Sequence, residues 1–98
     1  MEWNYNMTDY TVFYQEFNTK TQKWDYMQKI FNSEAKAKKF GAEILKTYPE
    51  NEVIVKSKEY KILYENDKPT KKYIGNECFI VNSTPESHKK LLQEVYNA

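Results

Sequence analysis

Hydrophobic and polar positions divide the chain into stretches of two periods. The first residues alternate, with Trp3, Tyr5 and Met7 on one side and Glu2, Asn4 and Asn6 on the other. A period of two predicts a half-buried strand. The run DYTVFYQEFN (residues 9–18) is β-branched and aromatic and predicts a second strand. Both of its faces are apolar, Val12 and Tyr14 on one and Phe13 and Phe17 on the other, which suits a place inside a sheet. NTKTQK is a polar connection and WDYMQKIF a further strand, so residues 10–31 read as a β-hairpin. The bland reading of Phe13 and Trp24 places them in the core beneath the helices.

The period then changes. Asn32 or Ser33 caps a helix, with Glu34 in its first turn. Ala37, Phe40, Gly41, Ile44 and Tyr48 form one stripe with Leu45 at its edge, and Lys39, Glu43 and Lys46 lie opposite. Pro49 stops the helix. EVIVKSKEYKILYE (52–65) predicts one long strand, or two broken near Ser57 and Lys58, and NDKP is a turn cluster. KKYI is a short strand, Gly75-Asn76 a tight turn, and ECFIV another strand. Thr84 as N-cap, Pro85 in the first turn and Glu86 beside the dipole open a last helix. It places His88, Leu91, Leu92 and Val95 on one stripe.

Strands in runs, rather than strands alternating with helices, predict an α+β fold. The expectation is one small domain over residues 1–98, with a mainly antiparallel sheet of four to six strands. Two helices, at about 33–48 and 85–96, pack on one face. No linker, repeat or low-complexity tract interrupts the chain.

Composition adjusts this picture in two ways. Charged residues are 30% of the chain and mean hydropathy is −0.93, yet aromatic residues are 16%, enough large rings to order a small core. The net charge is +1, and all 15 basic residues are lysine. The absence of arginine removes the usual bidentate reader of phosphate and guanine. A single cysteine excludes an internal disulfide and suits a reducing compartment. No signal peptide and no spanning segment are expected, which gives a soluble, cytoplasmic protein.

Candidate chemistry is sparse. Cys78 and His88 are the only thiol and imidazole. Cys78 sits inside a predicted strand and reads as an inert core residue. His88 reads as a packed or partly buried histidine. No carboxylate cluster has metal spacing, so no enzyme, metal or cofactor is expected. Lysines recur at Lys36, Lys38 and Lys39, at Lys56 and Lys58, at Lys71 and Lys72, and at Lys89 and Lys90. Interleaved aromatics beside lysines are the pattern that holds single-stranded nucleic acid. On that reading Lys36, Lys39, Lys71, Lys72 and Tyr73 would form the contact. The near-neutral net charge argues against it. The aromatic surplus at Trp3, Tyr5, Tyr10, Tyr14, Trp24 and Tyr26, with Lys36 and Lys39 beside it, fits a protein interface better. A homodimer, by face packing or by pairing at a sheet edge, would satisfy the same surplus.

The length near 100 residues, the hairpin-then-helix VFYQEFNTKTQKWDYMQKIFNSEAKAKKF and the lysine-only basic set resemble small accessory proteins of low-GC phages and prophages. That resemblance implies a stoichiometric inhibitor or modulator of a host defence protein, of the anti-CRISPR type, and a host protein or nucleoprotein complex as partner. Some such inhibitors imitate DNA with a strongly acidic surface. The balanced charge departs from that pattern and favours occupation of a protein surface. The expectation from sequence is therefore a non-enzymatic binding protein, with weak nucleic-acid binding as the alternative.

Overall fold

A computed structural model describes residues 7–97. Six elements follow in order: β1 (Met7–Asn18), β2 (Lys23–Phe31), α1 (Glu34–Thr47), β3 (Ile54–Glu65), β4 (Lys68–Val81) and α2 (Pro85–Tyr96). The strands form one antiparallel sheet in the order β2-β1-β3-β4, and both helices cover the same face. The molecule is 19 Å across its thinnest direction, about one sheet and one helix layer. The alternation of Trp3 and Tyr5 lies outside the described residues.

Local chemistry sets the boundaries. Asn18 turns the β1–β2 hairpin by accepting the N–H of Lys20 at 2.9 Å on its side chain, while its carbonyl accepts that of Gln22 at 2.8 Å. The β3–β4 turn uses Asn66 (φ 51°) and Asp67 (φ 63°), two residue types that tolerate the left-handed region a two-residue hairpin requires. Ser33 caps α1 through the N–H of Lys36, and Thr84 caps α2 through that of Ser87 at 3.2 Å.

Residues 54–65 form one continuous strand. The expected turn at Gly75-Asn76 is instead a bulge inside β4: Ser57 pairs with Cys78 and Glu59 with Ile74, so residues 75–77 oppose Lys58 alone. Gly75, at φ 74°, supplies the bend that keeps KKYI and ECFIV in one strand.

The fully buried core is small and aliphatic: Val12, Ala37, Ala42, Leu45, Val53, Val55, Val81 and Leu91. Val12, Val55 and Val81 form a cross-strand row under the helices. Gly41 lets α1 approach the core closely, because a Cβ there would stand 3.1 Å from Val53 Cγ1. Burying each Val or Leu contributes about 1.5–3 kcal/mol. Larger rings flank the core, with Tyr14 edge-on to Phe40 at 5.2 Å and Phe31 5.3 Å from Phe40. Lys38 ties the helices together, 2.9 Å from Glu94 and 3.8 Å from Glu34. Hydrogen bonding to Glu94 holds the Lys38 ammonium above its ordinary pKa, and hydrogen bonding to Lys38 holds the Glu94 carboxyl below its own.

Candidate functional site: the open face of the sheet

Strand alternation fixes what the helices leave uncovered. In β1, Asp9, Thr11, Phe13, Gln15 and Phe17 point away from the helices. The antiparallel register sets Ile30, Gln28, Tyr26 and Trp24 of β2 opposite Thr11, Phe13, Gln15 and Phe17. On the other side it sets Ile54, Lys56 and Lys58 of β3 beside Phe13, Thr11 and Asp9. Phe79 pairs with Lys56, and Tyr73 with Tyr60. One uncovered face therefore collects aromatic rings from all four strands.

Several side chains of this face meet solvent broadly. Ile30 is 52% exposed, Phe79 57% and Tyr26 82%. Trp24 is 41% exposed, its ring 5.4 Å from Phe17 and 5.7 Å from Tyr48. Phe13 and Trp24 thus lie on the open face and not in the core beneath the helices. Phe13 points away because it neighbours Val12, whose inward direction is fixed by the buried row.

Lysines thread between the rings. The Lys56 ammonium lies 5.2 Å from the centre of Phe13 and 4.8 Å from that of Phe79. Lys58 covers Tyr73 at 4.7 Å, and Lys71 covers Tyr60 at 4.2 Å. Acids answer each of them. Glu77 lies 3.4 Å from Lys56 and 3.8 Å from Lys58. Asp9, only 6% exposed, pairs with Lys71 and accepts the Tyr73 hydroxyl proton at 2.9 Å. That hydrogen bond to Asp9 holds the Lys71 ammonium above its ordinary pKa. Three lysines thus share two acids, which leaves the face one charge from neutral and pre-ordered by cation–π contacts worth about 0.5–1 kcal/mol each at exposed sites.

The residues singled out from sequence divide between surfaces. Trp24, Tyr26, Lys71 and Tyr73 lie on the open face. Tyr10 and Tyr14 pack beneath the helices against the core. Lys36 and Lys39 stand exposed on α1, and α1 does not touch β4. Lys72 pairs with Lys61 on the side of β4 opposite to Lys71. The lysine groups at 36–39 and 71–72 share no surface. Trp3 and Tyr5 lie outside the described residues. Phe13, Ile30, Glu77, Phe79 and Asp9 are no candidates by sequence, and Lys56 and Lys58 are there one lysine group among several, since the face they share is created by cross-strand register.

Cys78 is exposed, contrary to the core position expected of it. It pairs with Ser57 beyond the edge of helix coverage and beside the Gly75 bulge. His88 Nε2 donates to the Val53 carbonyl at 2.8 Å, fastening α2 to the chain entering β3. Among the described residues no group of three His, Cys, Asp or Glu could hold a metal ion, and no helix is long and apolar enough to cross a membrane. No family model, curated protein or solved structure matches the chain.

Proposed function

We propose that this chain is a non-enzymatic protein-binding module that occupies a partner's surface with the open face of its sheet. The observation that carries this reading is the exposure of Ile30, Phe79 and Tyr26 on a helix-free face whose lysines are already paired with acids. Exposed aromatic and aliphatic side chains set among paired charges resemble the aromatic-rich composition of protein interfaces. Aromatic anchors held by neighbouring strands lose little side-chain entropy on binding. As an inhibitor or modulator of a host defence protein, the chain would present this face to the effector. Its balanced charge suits contact with a protein surface rather than imitation of DNA.

Nucleic-acid binding is the second reading, and the lysines interleaved with Phe13, Phe79, Tyr60 and Tyr73 favour it. Two features oppose it. The lysines on this face are paired with Asp9 and Glu77, and their ammonium groups occupy ring faces on which bases would stack. The two readings separate by affinity capture from a bacterial lysate with and without nuclease. Protein retained after nuclease treatment, and lost on Phe79→Asp, supports the first. Retention that vanishes with nuclease and falls steeply with salt supports the second.

A further inference from the structure

The two edges of the sheet are built differently. β4 carries Pro69, which has no N–H to offer, and the Gly75 bulge breaks its register. Those are devices that stop strand addition. β2 has none of them. Its nine residues, Lys23–Phe31, contain no proline or glycine and pair with β1 without a register shift. No strand lies on its outer side among the described residues.

We infer that β2 is a dimerisation edge, and that its partner is β2 of a second copy of this chain, paired antiparallel about Met27. The sequence of β2 is self-complementary in that register. Met27 faces its own copy. Asp25 falls opposite Lys29 of the second copy, Trp24 opposite Ile30 and Tyr26 opposite Gln28, each pair on one face of the sheet. Among the described residues neither Asp25 nor Lys29 has an ion-pair partner within the chain. Asp25 takes only the Asn18 amide at 3.1 Å, and the Lys29 ammonium rests over Phe40 at 4.9 Å. Pairing about Tyr26 would set Lys23 against Lys29, and pairing about Gln28 would leave Asp25 against Phe31. The Met27 register alone matches charge with charge and the Trp24 ring with a β-branched side chain. Two four-stranded sheets become one of eight strands, with all four helices on one side and a continuous open face on the other. This inference concerns the edge and stands whether or not the open face binds a protein.

Sedimentation or light scattering on the whole chain tests it. The wild-type mass should rise with concentration toward twice 11.8 kDa. Asp25→Lys and Lys29→Asp, each checked for folding by circular dichroism, should each stay monomeric, because each sets like charges across the twofold axis. Mixed in equal amounts they should restore the doubled mass, because every cross-strand charge pair is then matched. A second arm keeps the charges unchanged. In a Cys78→Ser background, Met27→Cys should form a covalent dimer under mild oxidation, since directly opposed residues stand about 4.5–5.5 Å apart between Cα atoms, within disulfide reach. Gln28→Cys should not, its mate being Tyr26. A wild-type chain that is monomeric at every concentration, charge variants that dimerise alone, a mixture of folded variants that stays monomeric, or Met27→Cys without cross-linking would overturn the inference.

Discussion

Tyr73 donates its hydroxyl proton to Asp9 at 2.9 Å, joining an outer strand to a central one across the open face. The same carboxylate receives the Lys71 ammonium. Asp9→Asn keeps the size and an acceptor but removes the charge. The Lys71 ammonium should then return toward its ordinary pKa, observable by NMR titration of its side chain. Because the folded-state pKa is raised, the pair contributes stability that is complete below the unfolded lysine pKa and is lost as pH rises through the folded one. A wild-type advantage over Asp9→Asn in thermal melts should therefore shrink at strongly alkaline pH.

The Lys38–Glu94 pair gives the acid-side counterpart. Glu94 has a lowered folded pKa, so its contribution is present above the unfolded carboxylate pKa and is lost as pH falls through the folded one. Glu94→Gln should cost no more than about 1 kcal/mol at neutral pH, since both groups are partly solvated. Melts of the two proteins should coincide once the carboxyl is protonated.

Asn51 extends the sheet without being a strand residue. Its Oδ1 accepts the Gln15 N–H at 3.0 Å, and its Nδ2 donates to the Gln15 carbonyl at 2.8 Å, beyond the last pair of β1 with β3. Asn51 is 3% exposed. Asn51→Ala should cost about 1–3 kcal/mol in urea unfolding, because two part-buried backbone groups lose their partners.

Leu91 is the α2 residue that reaches the centre of the core. Leu91→Ala should cost about 2–5 kcal/mol in the same assay, the range for emptying a leucine site in a packed core.

Cys78 should react stoichiometrically with a thiol reagent in the absence of denaturant. Slow labelling that needs unfolding would contradict its exposed position.

The fold was legible where one face of an element is buried. The α1 stripe around Ala37 and Gly41, the cap Thr84, an α1 cap at Asn32 or Ser33 that the structure resolves to Ser33, and the α+β order follow from periodicity and end chemistry. Gly75-Asn76 misled because glycine serves a bulge as readily as a turn, and only the pairing of Ser57 with Cys78 decides which. Cys78 misled because residue type predicts burial only where something covers the strand. The site was half legible. Trp24, Tyr26, Lys71 and Tyr73 stand out by chemistry, whereas Phe79 and Lys56 acquire meaning from being opposed across β3 and β4. Tyr14 and Phe13 look alike in sequence and are separated by one step of strand alternation, which sends one to the helices and the other to solvent.

The central claim is binding of a protein through the open face, and comparative affinity capture tests it most directly. Nuclease-treated lysate is passed over wild-type protein, over Tyr64→Asp/Phe79→Asp on the open face, where Tyr64 shares the strand alternation of Lys56 and Tyr60 and is exposed, and over Lys36→Glu/Lys39→Glu on α1, all with native circular dichroism. None of the four substitutions touches β2. The account predicts a retained protein with the wild type and the α1 variant, and its loss with the open-face variant. Retention by the open-face variant together with loss by the α1 variant would contradict it, as would the absence of any protein once nucleic acid is removed.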